Sequence, residues 1–193
     1  MNYELPKSID VNGRNYEIRT DYRVILDIFF VLADVELDNC EKGFVILSMF
    51  YPEFAEMPPD DCQEAIRKCF WFINCGEEEH SCRNHMKLVD WEQDLKYIIA
   101  PINRILSQEI RSIPYDVRHN SGGLHWWTFM SAYYEIGGDC TFSEIVRIRD
   151  KKARGKKLDK NEQEWYRKNR DLVDIRKKYS MSDENLLKQW GGG

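Results

Sequence analysis

The sequence predicts a mainly α-helical domain that begins with a short β-hairpin and ends in a basic helical arm. Three observations carry that prediction. Near the start, "IDVNGRNYEI" alternates apolar and polar residues about Asn12 and Gly13, whose tolerance of positive φ suits a tight type I′ turn. From Tyr22 onward, apolar residues recur at helical spacing in segment after segment. Residues 147–178 then hold fourteen Lys and Arg against six Asp and Glu, a balance of +8 that leaves −13 on the other 161 residues.

After the hairpin, Thr20 and Asp21 offer N-caps to "YRVILDIFFVLADV", where Ile25, Phe29 and Leu32 share a helical face. "EKGFVILSMFYP" reads as a second short helix stopped by Pro52. "PPDDCQEAIRKCFWFINCG" reads as a third, with Asp60 or Asp61 as its cap and Gly76 as its stop. "GEEEHSCRNHMK" has no apolar period and is expected to be a loop. Asp90 followed by Gln93 resembles a capping box opening "WEQDLKYIIAPINRILSQEI", in which Pro101 must kink or restart the helix. Beyond the expected loop "YDVRHNSGG", Leu124 to Ile136 should form a helix ended by Gly137 and Gly138, and Thr141 with Glu144 a capping box for "FSEIVRIR". The charged link "DKKARGKKLD" leads to "KNEQEWYRKNRDLVDIRKKY", a polar helix whose thin apolar stripe at Trp165, Leu172 and Ile175 is too narrow for a core of its own. The division expected is an acidic, mainly helical body over residues 1–149, hairpin included, and a basic helical arm with a flexible tail over residues 150–193.

A chain of 193 residues with 42% apolar and 13% aromatic residues is long enough and apolar enough for one globular domain. No stretch approaches the roughly 18 apolar residues a membrane span needs. "MNYELPKSID" lacks a basic region followed by an apolar one, so the product is expected to stay in the cytoplasm. There the six cysteines read as reduced thiols. Cys75, His80, Cys82 and His85 lie close in sequence but form no C-x2-C pair, so small buried thiols and a polar loop are expected rather than a metal site.

"LHWWTF", residues 124–129, sets a histidine beside two tryptophans. His125 stands next to Phe129 at i and i+4, either inside the core with a ring nitrogen on a backbone carbonyl or on an exposed binding face. A catalytic role would need an orienting partner or adjacent nucleophile, and the sequence carries no G-x-S-x-G, Walker A, G-x-G-x-x-G or H-E-x-x-H motif. No catalytic residue, cofactor or metal is expected. Phe29, Trp126 and Phe129 are expected in the core. His125, Trp127, Arg147, Arg149, Lys151, Lys152 and Arg154 are the residues expected to meet a partner. The arm has the cation density of a phosphate-binding tail. It has no stacking aromatic within "RIRDKKARGKKL", and the acidic body would repel a polyanion, so nucleic acid is not the expected partner.

Four stretches, "LPKSIDVNGRNYEIRTDYR", "DWEQDLKYIIAPINR", "DVRHNSGGLHWWTFMSAYYEI" and "TFSEIVRIRDKKARGKKLDKNEQEWYRKNR", give the sequence its likeness to a known family. It resembles the bacteriophage family called gene product fifteen, tail proteins of long-tailed, non-contractile phages and prophages. The segment from Glu77 to Lys87 and the last fifteen residues match nothing in it. The resemblance implies a tail assembly chaperone in the host cytoplasm that binds the tape measure protein and tail tube subunits; the charge asymmetry separately predicts that the basic arm contacts tape measure or docks on the acidic body of a neighbouring copy. Two alternatives stand beside it: a structural tail or tail-completion component, and a nucleic-acid-binding regulator using the arm. The terminus "LLKQWGGG" reads either as a frameshift site or as a tag or floppy tail.

Overall fold

The computed structural model describes residues 4–77 and 87–178. Strands β1 (Ser8–Val11) and β2 (Arg14–Glu17) pair antiparallel, Val11 opposite Arg14, across a turn in which Asn12 and Gly13 have φ of 53° and 80°. Helices α1 (Tyr22–Leu32), α2 (Asn39–Phe50), α3 (Cys62–Ile73) and α4 (Trp91–Leu106) follow. A two-residue-strand hairpin, β3 (Tyr115–Asp116) and β4 (Ser121–Gly122), lies within the expected loop and precedes α5 (Trp126–Tyr134). Helices α6 (Thr141–Ala153), α7 (Lys160–Lys168) and α8 (Arg170–Val173) complete the described chain. Among the described residues the fold is therefore mainly α with an N-terminal hairpin.

The core gathers around α1, which buries Tyr22, Val24, Ile25, Leu26 and Ile28 and packs against α2, α4 and α5. The first hairpin closes one side through β1 on α3, and it is clipped there by Asp61. The Asp61 carboxylate accepts from Asn12 at 2.9 Å, from the Tyr16 hydroxyl at 2.8 Å and from Arg14 at 3.2 Å. Those bonds hold its carboxyl below the usual carboxylate range. Asp61 holds the N-cap position of α3, as expected, but its carboxylate is taken by the hairpin and no side-chain cap bond forms. The helix is entered instead through a 3-10 turn over Pro59–Asp61. On the next helix over, Arg19 donates to the carbonyls of Ser48 and Met49, a cation at the C-terminus of α2 where the helix dipole favours it.

The helix ends differ from the sequence reading where a polar side chain had several backbone groups within reach. Asp38, not named by the reading, starts α2 through a reciprocal capping box with Glu41. Asp90 caps α4 by accepting from Gln93 N–H at 3.1 Å, but the Gln93 side chain leaves that box and reaches the carbonyls of Asp171, Leu172 and Asp174. Helix α4 runs through Pro101 without a restart and ends at Ser107, in the left-handed region at φ 52°. At α6 the N-cap position is Cys140 and no side-chain cap bond forms, so Thr141 lies inside the first turn and the expected capping box does not exist.

The polar helix expected over the arm is two helices, broken at Asn169. The stripe it carries is not left for solvent: Val173 is buried, and Trp165, Leu172 and Ile175 are half-buried. The expected boundary at residue 149 falls in the middle of α6, at its most deeply held side chain. Arg149 is 5% exposed and Asp94, on α4, is fully buried. Arg149 Nη1 donates to Asp94 Oδ2 at 2.5 Å and Nη2 to Asp94 Oδ1 at 3.0 Å. Its remaining donors reach the carbonyls of Leu88, Leu172 and Val173 at 2.9, 2.9 and 2.6 Å. All five guanidinium N–H groups are used. The arm is therefore fastened to the body, and the residues that receive Arg149 lie on both sides of the expected boundary.

Removing one partner of such a pair strands a buried charge, at a cost of roughly 3–5 kcal/mol. Arg149→Ala and Asp94→Ala are each expected to lower the unfolding free energy measured in urea by that amount, whereas the apolar pair Arg149→Met with Asp94→Leu should recover most of the loss. A body truncated after residue 149 loses the Leu172 and Val173 carbonyls and is expected to unfold at a lower midpoint than the full chain.

Candidate partner-binding surface

Every residue predicted to work at a site has a definite position, and several are consumed by the fold. His125 is the N-cap of α5: its Nδ1 accepts from Trp127 N–H at 3.0 Å while its Nε2 lies 3.0 Å from the Pro6 carbonyl. One nitrogen must accept and the other donate, which fixes the neutral tautomer with the proton on Nε2. Burial pushes the imidazolium down below its ordinary range, partly offset by the Pro6 carbonyl. Both ring nitrogens are thus committed to backbone.

The same junction is held from the other side by Asp21, the N-cap of α1, 1% exposed. Its carboxylate accepts from Leu124 N–H at 2.8 Å and from Arg23 N–H at 3.0 Å, and pairs with the Arg23 guanidinium at 2.7 Å. Backbone bonds from Tyr22 N–H to Leu124 and from Trp126 N–H to Thr20 complete the tie. A Cβ on Gly123 would collide with the Asp21 carboxylate, and one on Gly122 would sit 2.6 Å from the Pro114 oxygen, so the two positive-φ glycines let the chains meet.

Trp126 and Phe129 are buried at 1% and 0% exposure and stack on one another, with Trp126 Nε1 donating to the Ile73 carbonyl at 2.9 Å. Phe29 is half-buried at the edge of that group, its ring 5.7 Å from Trp91 and 6.0 Å from Trp126. Trp127 is packed too. Its Nε1 donates to the Phe72 carbonyl at 2.8 Å and its ring lies against Trp71, Phe72 and Gly76. His125 and Trp127 therefore serve the α3–α5 junction and present no free polar group to a partner.

The cations of the arm divide into three kinds. Arg149 is internal, as described. Arg147 and Lys151 both reach Glu162 of α7, a carboxylate 2% exposed, and Arg147 also pairs with Glu144 at 2.6 Å. Lys152 binds Asp174 at 2.6 Å and the Tyr166 hydroxyl at 2.6 Å, and Arg154 pairs with Asp150 at 2.7 Å. Lys156, Lys157, Lys160 and Arg167 are exposed and have no carboxylate partner among the described residues. The sequence reading named the neutralised cations and missed the free ones. The signal lay in Asp159 and Glu162, spaced as a capping box, which places Glu162 under α6.

Opposite in character is the outer face of α2. Phe44 is 64% exposed and its ring meets that of Phe54 at 5.2 Å, edge to face. Asp38 and Glu41 precede Phe44 on the helix, and Glu53 and Glu56 flank Phe54; all four are exposed and no described cation pairs with them. Residues 24–66 carry ten acidic side chains and one lysine, Lys42, whose ammonium is turned to the Leu32 carbonyl. Elsewhere, a cleft of about 800 Å³ between the end of α1, the start of α4 and Arg176–Lys178 is lined by both signs of charge, including Glu36, Glu92 and Lys178.

Among the described residues no group of three or more His, Cys, Asp and Glu could hold a metal ion, and of the metal-site residues considered only Cys75 is described; His80, Cys82 and His85 lie outside. Cys69 is buried and its thiol is pushed up, whereas Cys62, Cys75 and Cys140 are half-buried and Cys40 is exposed, so among the described cysteines the expectation of buried thiols holds for Cys69 alone. No helix among the described residues is long and apolar enough to cross a membrane. The terminal glycines lie outside the described residues.

The geometry defines a helical protein whose surface carries an exposed Phe44 flanked by carboxylates and a turn of exposed lysines. The family model described as Bacteriophage Gp15 protein matches residues 1–175, and the chain belongs to that phage family. No curated protein and no solved structure matches the chain.

Trp126→Ala should cost about 3–5 kcal/mol in urea denaturation, the range for deleting a buried aromatic. A pH effect follows from His125. Its folded pKa is depressed, so the unfolded chain binds a proton more readily as pH falls through about 6.5. The neutral cap therefore contributes fully above that pH, and stability falls as the solution is acidified below it. His125→Asn keeps a capping acceptor without titrating. Its urea midpoint should fall less than the wild type's between about pH 7 and pH 5.

Proposed function

We propose that this chain is a phage tail morphogenesis protein: a tail assembly chaperone that covers the apolar face of the tape measure protein and helps bring it to tail tube subunits in the host cytoplasm. Membership in the Bacteriophage Gp15 family over residues 1–175 carries the reading. The contact between exposed Phe44 of α2 and half-buried Phe54 of the 3-10 turn that follows supports it, because a long apolar helix aggregates unless its stripe is laid against a surface of this kind. A non-enzymatic role fits His125, whose two nitrogens are taken by Trp127 and Pro6. The internal pairing of Arg147, Lys151, Lys152 and Arg154 favours a protein partner over nucleic acid, since a polyanion would have to displace carboxylates already in place.

Co-expression with the tape measure protein tests the reading. The wild-type chain should move tape measure into the soluble fraction and be recovered with it by pull-down. Phe44→Ser, on an exposed residue and so within about 0.5 kcal/mol of wild-type stability, should reduce both. Tape measure that stays insoluble with the wild-type chain, with no complex recovered, overturns the chaperone role. A chain found in purified virions at fixed stoichiometry would make it a resident tail component.

A further inference from the structure

We propose that copies of this chain associate head to tail, the basic turn between α6 and α7 of one copy docking on the acid-flanked contact between Phe44 of α2 and Phe54 of the following 3-10 turn (Phe54–Glu56) on the next. Both halves of the contact are present in one chain. The turn offers Lys156, Lys157 and Lys160, exposed and unpaired, around the half-buried Leu158, and Gly155 at φ 64° makes the reversal that presents them. The receptor offers Phe44 and Phe54 at its centre with Asp38, Glu41, Glu53 and Glu56 around them, exposed and without a described cation.

Within one molecule the two do not meet. Helix α2 packs on α1 and α3, whereas α6 packs on α4 and α8 and α7 on α8, and no described ion pair links one region to the other. The fold satisfies Arg147, Lys151, Lys152 and Arg154 internally yet leaves the three lysines of the turn that follows them, like Arg167, Arg176 and Lys177 further along, without a described carboxylate. Residues 24–66 carry the opposite sign, ten Asp and Glu against Lys42 alone, of which Asp61 and Glu64 are already paired with Arg14 and Arg67. Exposed ion pairs are individually weak. Their part is to steer and orient the encounter, while covering the aromatic pair supplies the apolar contact. Because the two surfaces differ, the contact is heterologous, and each copy keeps one free turn and one free receptor from which a ring or an open row grows.

Sedimentation velocity on the purified full chain, with no tape measure present, tests this independently of the chaperone role. The wild type should show a weight-average mass that rises with concentration and falls back toward monomer at high salt. Lys156→Ser with Lys157→Ser removes the turn, and Phe44→Ser with Glu53→Gln and Glu56→Gln removes the receptor. Each variant alone should remain monomeric while its circular dichroism matches wild type. Mixed in equal amounts they should form a dimer and stop there, because only one working turn and one working receptor remain per pair. A wild type monomeric at every concentration, a variant that assembles as wild type does, or a mixture that stays monomeric would each overturn the proposal.

Discussion

Asp94 and Arg149 stand almost completely out of water, a position that an ion pair tolerates only when every remaining lone pair and proton is matched. Here the matching groups come from four places. Asp94 accepts from the Asp90 backbone at the head of α4, and Arg149 of α6 takes the carbonyls of Leu88, Leu172 and Val173. The pair therefore cannot form unless α4, α6, α8 and the segment entering α4 are all in place together. The side chain of Gln93, one residue from Asp94, reinforces the same joint by bonding the carbonyls of Asp171, Leu172 and Asp174 and the Arg176 N–H. A stretch whose composition suggests a loose basic arm becomes a fixed part of the fold.

The α1–α5 junction works by the same rule with different groups. Asp21 and His125 cap neighbouring helices, and each also bonds a distant backbone group: Asp21 the Leu124 N–H, His125 the Pro6 carbonyl. Capping in this protein is thus a tertiary device as much as a local one. It explains why "LHWWTF" looks like an active site. A histidine between aromatics is what a helix start needs when its cap must be partly buried, and the tryptophans beside it fill the space between α3 and α5 while their N–H groups find the Ile73 and Phe72 carbonyls.

What the sequence disclosed follows from range. The first hairpin was legible because Asn12 and Gly13 carry their backbone preference with them, and α1, α3 and α4 because an apolar face repeats within each. The N-cap position of Asp61 is legible, but its partners are not: the N–H groups of α3 lie one to three residues away, while Asn12, Arg14 and Tyr16 take the carboxylate from 45 or more positions off. Arg149 is not legible as an internal residue because charge is counted along the chain and burial is not: the four cations between Arg147 and Lys152 divide among solvent-side pairs and one internal guanidinium. The outer face of α2 went unmarked since a lone Phe44 in an apolar segment gives no sign of pointing outward; only the packing of Ile46, Leu47 and Phe50 on the other side leaves it there.

Both proposed occupants of that face require the same atoms. An apolar helix of a client would lie over Phe44 and Phe54, and the turn of a second copy would place Leu158 and its lysines there, so the two cannot bind together. The contacts differ in kind. Charge dominates the copy-to-copy contact and salt weakens it, whereas apolar area dominates the client contact and a long repeating helix offers it many times over. A client would then win by replacing a salt-sensitive neighbour with a larger apolar surface, and a row of copies would present one such face per subunit along its length. Self-association in this arrangement would cover Phe44, the exposed ring of the two, and would give way to the binding partner without any change in the fold beneath.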